Sequence, residues 1–171
     1  MNIKIQASSA WALRGNQLFC IDEFKGHPDT ETLAISLSTK YSGHRIFAYP
    51  DPTGKSRKTS AAVGVTDFRI LESKGLVVRA HNHSPSIVDS VNAVNRMFKT
   101  AAGDINAYVH PRCQGVITSL ERTIWLDNNP NTATIDKKEG IEHFSDGVRY
   151  GFEYLFPIKS HKKSTVRGFG F

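Results

Sequence analysis

A short apolar stretch that ends between two prolines constrains the fold of this chain more than any other feature. Residues 44–54 read HRIFAYPDPTG, so Pro50 and Pro52 enclose Asp51. Proline fixes φ and lacks a backbone N–H, so a central strand cannot continue through this segment. The strand must end here, and the ends of strands are where open α/β sheets bind ligands. Asp51 is thus a candidate site residue; a plain turn is the alternative, because these are also favoured turn residues.

Strand and helix patterns alternate along the rest of the chain. The pattern opens with a hairpin around Gly15 and Asn16, and acids at the first turn, glycines at the last turn and apolar residues at helical spacing mark the helices. We predict strands at 3–13, 17–24, 44–51, 76–80 and 105–109, and helices at about 30–41, 67–74, 85–98, 114–125 and 142–156. Such short alternating units predict an α/β fold, with a mixed, largely parallel sheet and helices on both faces.

Length and composition fit a single soluble domain. The chain has 171 residues with 39% hydrophobic content, and its apolar runs are too short for a transmembrane helix. Without an apolar segment near the start that would direct secretion, we expect a cytoplasmic protein and no membrane partner. Cys20 and Cys113 lack metal-ligand spacing and are interpreted as reduced thiols. No phosphate-binding GxxxxGK[ST] motif is present, so the chain by itself is not an ATPase.

The charge balance favours a polyanionic partner. The formal net charge is +6, and Lys55, Arg57 and Lys58 directly follow Asp51. A second basic cluster lies in residues 159–171, which are interpreted as a flexible tail. Basic surfaces attract phosphate ligands over long distances. The alternative for both clusters is a solvated loop and a disordered end.

Further polar groups fall near predicted strand and helix ends. His143 and Asp146 are three residues apart, so a helix would present them on one face. Residues 110–113, HPRC, follow a strand and could place Arg112 beside the same crevice, or could simply start the next helix. Residues 81–83, HNH, lack the context of the nuclease motif of that name and are interpreted as a loop. Asp22 and Glu23 are interpreted as solubilising charges at a sheet edge; a position peripheral to a metal site is the alternative.

Several motifs in order resemble the C-terminal nuclease domain of tailed-phage terminase large subunits. The resemblance covers residues 2–158, nearly the whole chain. It rests on the segments IDEF (21–24), YPDPTG (49–54), TDFRIL (66–71), VNAVNR (91–96), VHPRC (109–113), SLER (119–122), HFSDGVRY (143–150) and YLFP (154–157). The resemblance implies an RNase H-like fold over residues 1–158, followed by the basic tail.

The resemblance also implies a function and a set of site residues. That family cuts concatemeric viral DNA during genome packaging with two divalent ions, Mg²⁺ or Mn²⁺. By this resemblance Asp51 and Asp146 are catalytic metal ligands and His143 is a further ligand. Its partners are double-stranded DNA, the terminase ATPase domain, the small terminase subunit and the portal protein. The family's first aspartate corresponds to a position ahead of Asn2, so we expect this ligand to be missing from the chain and the opening strand to be truncated.

These expectations lead to two functional hypotheses. The first is a metal-dependent DNA endonuclease, because hard carboxylate oxygens suit Mg²⁺ or Mn²⁺ and two such ions can activate water and stabilise the leaving oxygen. Lys55, Arg57, Lys58 and Arg112 would then contact the DNA backbone. The second is a catalytically inactive terminase remnant with the same fold that only binds DNA or plays a structural part. A missing ligand predicts weak metal binding in either case.

Overall fold

The computed structural model describes residues 6–55, 65–129, 133–137 and 140–158. Its strands are β1 (Gln6–Arg14), β2 (Gln17–His27), β3 (Phe47–Ala48), β4 (Val77–Val78) and β5 (Ala107–Val109). Its α-helices are α1 (Thr30–Lys40), α2 (Asp67–Ser73), α3 (Ile87–Phe98), α4 (Gln114–Arg122) and α5 (His143–Leu155). Short 3₁₀ helices occupy Pro52–Lys55 and Leu126–Asn128. The predicted order of strands and helices is confirmed; the basic tail and residues 1–5 lie outside the described part.

Both parallel and antiparallel pairs occur in the sheet structure. β1 and β2 form the predicted antiparallel hairpin, whose turn is made possible by Gly15 with φ of +58°. β5 pairs in parallel with β2, and β3 pairs in parallel with β4. In the described residues, these strands form two separate sheets, β1-β2-β5 and β3-β4. The mixed character is therefore as predicted, while the division into two sheets was not anticipated.

One helical layer joins the two sheets. Leu33 and Leu37 of α1 and Leu71 of α2 are buried in one apolar cluster. Ala10 of β1 and Ala48 of β3 both pack against this cluster, so each sheet contributes to the same core. The strands of both sheets therefore cover one layer formed by α1 and α2.

The remaining helices cover the opposite side of the hairpin. Leu18 of β2, Val94 of α3 and Val148 and Phe152 of α5 are buried together. Trp11 of β1 contacts Phe152 edge to face, with ring centroids 4.9 Å apart. Helices thus lie on both faces of the sheet layer, which confirms the predicted α/β class. In the described part of the chain, no helix combines the length and apolar character that crossing a bilayer requires.

The two acidic residues of β2 correct one prediction. β2 pairs with β5 only at residues 18–20, and Asp22 and Glu23 lie beyond that pairing; both nevertheless have specific partners within the fold and do not act as solubilising edge charges. Asp22 forms an ion pair with Lys40 and accepts a hydrogen bond from Tyr41. Glu23 accepts hydrogen bonds from the backbone N–H groups of residues 115 and 116, at 3.1 and 2.9 Å, and so caps the start of α4.

Candidate functional site

One face of α5 lies beside the segments that follow β3 and β4, and the polar side chains of this junction, here called the crevice, are Asp51, His81, Asp146, Tyr150 and Glu153. Asp146, Tyr150 and Glu153 are spaced so that they follow one another along this helix face. The helix backbone lies close to the segment after β3: a Cβ built at Gly151 would meet Cβ of Tyr49 at 3.7 Å, an ordinary van der Waals contact. Helix α5 therefore packs against the segment that leads from β3 to Asp51.

Asp51 is held by its own loop, as the two prolines predict. Its side-chain Oδ1 accepts a hydrogen bond of 2.9 Å from the backbone N–H of Thr53. Its backbone carbonyl accepts another of 2.9 Å from Gly54, at the start of the 3₁₀ helix Pro52–Lys55. The turn and the site are therefore compatible descriptions of one segment, because the carboxylate that closes the turn also accepts a hydrogen bond from the Tyr150 hydroxyl.

Asp146 lies in the first turn of α5 between two cations. Its Oδ1 lies 2.5 Å from Arg149 Nη2, and its Oδ2 lies 2.8 Å from Lys137 Nζ. Arg149 is itself buried and donates a hydrogen bond of 2.7 Å to Ser90 Oγ on α3. Burial alone would raise the pKa of Asp146, but the hydrogen bonds and charges of Arg149 and Lys137 outweigh it and lower that pKa. The carboxylate is therefore ionised and fixed from two sides.

The pKa of Tyr150 depends on both predicted carboxylates. Burial and the neighbouring Asp51 carboxylate raise the pKa of Tyr150 to about 12, and the charge of Asp146 adds to the effect. The two acids that the sequence singled out, although far apart along the chain, therefore act on one hydroxyl group. Arg149, whose guanidinium carbon lies 5.6 Å from the centre of the Tyr150 ring, partly offsets their negative charge.

The other predicted site residues are placed differently. His143 is exposed at the start of α5, with Nδ1 3.9 Å from Glu142 Oε1, and no hydrogen bond or ion pair in the described residues joins it to Asp51 or Asp146. Lys55 is exposed and donates to Asn82, at 3.4 Å. Arg112 uses its guanidinium to bind the carbonyl of Ile21, at 2.8 Å from Nε. Arg57 and Lys58 lie outside the described residues.

His81 and Glu153 belong to the crevice and were missed by sequence reasoning. His81 follows β4 and places Nε2 2.6 Å from Glu153 Oε2. Both atoms are shielded from solvent, yet within the described part of the chain neither makes an aligned hydrogen bond. The His81 ring also packs against Tyr154, which packs against Tyr49, with centroid separations of 4.9 and 5.4 Å. The sequence signal that could have identified His81 is its position shortly after β4, which pairs with β3, the strand that precedes Asp51.

Comparison with known proteins bears on the fold. The structure of the P22 large terminase nuclease domain superposes with a TM-score of 0.56 and covers 92% of this chain and 85% of that one. The chain has the fold of a large-terminase nuclease domain. Sequence identity over the match is 12%, so the likeness concerns the fold alone. No family model and no curated protein matches the sequence.

The nuclease fold raises the question of whether these side chains suit a divalent cation. Asp51 and Asp146 supply hard oxygen donors, and both raise the pKa of Tyr150, while Arg149 and Lys137 pair with Asp146. The donor type therefore fits Mg²⁺ or Mn²⁺. The described residues contain no group of three or more His, Cys, Asp or Glu side chains placed to hold a metal ion. The described residues thus supply two carboxylates of the right type and do not complete the set of ligands that a metal ion needs.

Proposed function

We propose that this protein is a divalent-metal-dependent DNA endonuclease domain that acts on concatemeric viral DNA during genome packaging. The observation that carries this proposal is that Asp51 and Asp146 both raise the pKa of Tyr150, on a large-terminase nuclease fold. Double-stranded DNA is the substrate, in the cytoplasm of the host cell. The resemblance extends the proposal to the terminase ATPase domain, the small terminase subunit and the portal protein as partners.

In this proposal the cation is held by Asp51 and Asp146, with the exposed His143 as a third donor. When bound, the metal would lower the pKa of a coordinated water and offset charge on the phosphate. Tyr150 would orient the Asp51 carboxylate, and Arg149, anchored on Ser90, would fix that of Asp146. Lys137, which is exposed and pairs with Asp146, would add a positive charge beside the site that attracts the DNA backbone.

A non-catalytic DNA-binding domain is the second candidate. It is favoured by the ion pairs that occupy Asp146 and by the lack of a third metal-ligating side chain among the described residues. Such a domain would bind duplex DNA and leave it intact. The two candidates therefore differ in turnover and agree on the nucleic-acid partner.

Plasmid cleavage separates the candidates. Supercoiled plasmid is incubated with the chain in Mn²⁺, in Mg²⁺ or in EDTA, and nicked and linear products are measured. We expect cleavage with Mn²⁺ that disappears in EDTA and falls by about 100-fold or more in Asp51→Asn and in Asp146→Asn. Asp104→Asn is the matched control, because Asp104 is exposed and bonded to Thr100 in a loop before β5.

The outcomes of this experiment are distinct. Cleavage that survives EDTA, or that is equal in both site variants and the wild type, contradicts the nuclease assignment. Plasmid that is bound but left intact in Mn²⁺ supports the DNA-binding candidate. Failure of both binding and cleavage contradicts both.

A further inference from the structure

Two arginines converge on one exposed aromatic ring beside the candidate site. The guanidinium carbons of Arg45 and Arg79 lie 5.0 and 4.9 Å from the centre of the Phe47 ring. Phe47 is 37% exposed, and both arginines are exposed. Within the described residues, neither guanidinium forms an ion pair or a side-chain hydrogen bond. Two like charges are therefore held close together without a carboxylate to neutralise them.

Strand geometry places this cluster on the same face as the crevice. Ile46 and Ala48 pack against the α1 and α2 layer, so their neighbours Phe47 and Tyr49 point to the opposite face. Tyr49 contacts Tyr154 and the Gly151 backbone of α5 on that face. Helix α5 thus covers one end of the face and leaves the Phe47 end open.

The neighbouring strand has the same arrangement. Phe47 pairs with Val77, and Val78 packs against the α1 and α2 layer. Arg79 therefore projects beside Phe47, and His81, two residues later, reaches Tyr154 and Glu153. Arginines, aromatic rings and acids accordingly follow one another along a single surface.

The distance along this surface is short. Phe47 precedes Asp51 by four residues, and a fully extended chain spans at most about 3.6 Å per residue, so their Cα atoms lie within about 14 Å. A polyanion that touches both guanidinium groups therefore lies within reach of the proposed cation site. A double helix carries a phosphate charge every 3.4 Å along each strand, which makes it an extended ligand for such a surface.

We infer that Arg45 and Arg79, supported by Phe47, form a surface that binds the phosphate backbone of double-stranded DNA next to the Asp51 crevice. This inference rests on the proposed nuclease function and names the part of the chain that holds its substrate. A guanidinium stacked on a ring keeps its N–H edge free, and that planar edge suits phosphate oxygens. The contact reads no base, so it is indifferent to DNA sequence.

Binding of a labelled duplex in EDTA, followed by fluorescence anisotropy over a KCl series, tests the surface without requiring cleavage. Arg45→Gln/Arg79→Gln is compared with Arg14→Gln/Lys25→Gln, which removes two exposed positive charges from the β1-β2 hairpin. We expect the first variant to lose about tenfold or more in affinity and to reduce the slope of log affinity against log salt by about 2. The control should keep the wild-type slope.

Two further variants separate charge from geometry. Arg45→Lys/Arg79→Lys retains both charges and should restore the salt slope but only part of the affinity, because lysine lacks the planar edge. Phe47→Ala retains both guanidinium groups without their support and should weaken binding severalfold with little change in slope. Unchanged melting temperatures confirm that these surface changes leave the fold intact.

Three results overturn the inference. One is equal affinity and slope in Arg45→Gln/Arg79→Gln and in its charge-matched control. Another is a wild-type chain that does not bind duplex at low salt. The third is competition by polyglutamate as effective as that by DNA of equal charge, which assigns the surface to an acidic protein. If Arg45→Gln/Arg79→Gln leaves duplex binding unchanged while Asp51-dependent plasmid cleavage is observed, the inference fails and the proposed function stands. If duplex binding depends on the two arginines but the chain does not cleave plasmid, the proposed function fails and the inference stands.

Discussion

Tyr150 is the residue whose pKa depends on both predicted acids. Its hydroxyl is hydrogen-bonded to Asp51, and the negative charge of Asp146, one turn earlier on the same helix, also raises its pKa. Tyrosine donates a hydrogen bond only while it is protonated, so a raised pKa keeps it a donor across the physiological range. The tyrosine is thus an internal reporter of the charge at the site.

Asp51→Asn should lower the pKa of Tyr150. Removal of the negative charge makes the tyrosinate easier to form, whereas burial is unchanged and keeps the pKa above its ordinary value. The difference in tyrosinate absorbance between wild type and variant, measured from pH 9 upward, follows this ionisation. Tyr150→Phe identifies the transition, and superimposable curves for wild type and Asp51→Asn would show that the two groups are not neighbours.

At the scale of elements, the sequence predicted most of the helices because their signals are local. Asp29 and Thr66 cap α1 and α2 through hydrogen bonds to residues three positions later, and such caps depend on nearby residues alone. The end of a strand ahead of Pro50 was likewise predicted from the two prolines, although β3 ends at Ala48 and not at Asp51. Glu23 was misinterpreted because its partners, the N–H groups of α4, are more than 90 residues away.

Two helical glycines provide a matched test of the packing. A Cβ at Gly115 in α4 would lie 2.7 Å from Phe144 Cε2, whereas one at Gly147 in α5 would meet nothing within 4 Å. Gly115→Ala should therefore destabilise the fold by about 2 kcal/mol through overpacking. Gly147→Ala should stabilise it by about 0.5–1 kcal/mol, because alanine favours a helix interior. Urea unfolding measures both, and equal effects would contradict the placement of α4 against Phe144.

For the molecule as a whole, the candidate site draws on three segments that are far apart along the chain, residues 49–51, 81 and 146–154. The sheets β1-β2-β5 and β3-β4 share the α1 and α2 layer. Helix α5 packs against β1 through Phe152 and lies beside the segment after β3 at Gly151. The sequence patterns predicted Asp51 and Asp146 as site residues but not His81 and Glu153, because a contact between residues 72 positions apart leaves no local periodicity. The resemblance to terminase nucleases supplied the fold, and it gave no indication of this pair.

The His81–Glu153 contact should couple β4 to α5. Glu153 is mostly buried and faces His81 at 2.6 Å, so removing either side chain leaves the other without its partner. A double-mutant cycle with His81→Gln and Glu153→Gln, followed by urea unfolding, should give a coupling energy of about 1 kcal/mol. Single effects that simply add would show that the two groups do not interact.

The central claim is that Asp51 and Asp146 bind one divalent cation together. Titration with Mn²⁺, followed through the electron paramagnetic resonance signal of the free ion, measures this directly in wild type, Asp51→Asn, Asp146→Asn and the control Asp104→Asn. Each site variant should weaken the affinity by about tenfold or more, and the control should match the wild type. Equal Mn²⁺ affinity in all four proteins, or loss in only one of the two site variants, would contradict a shared site.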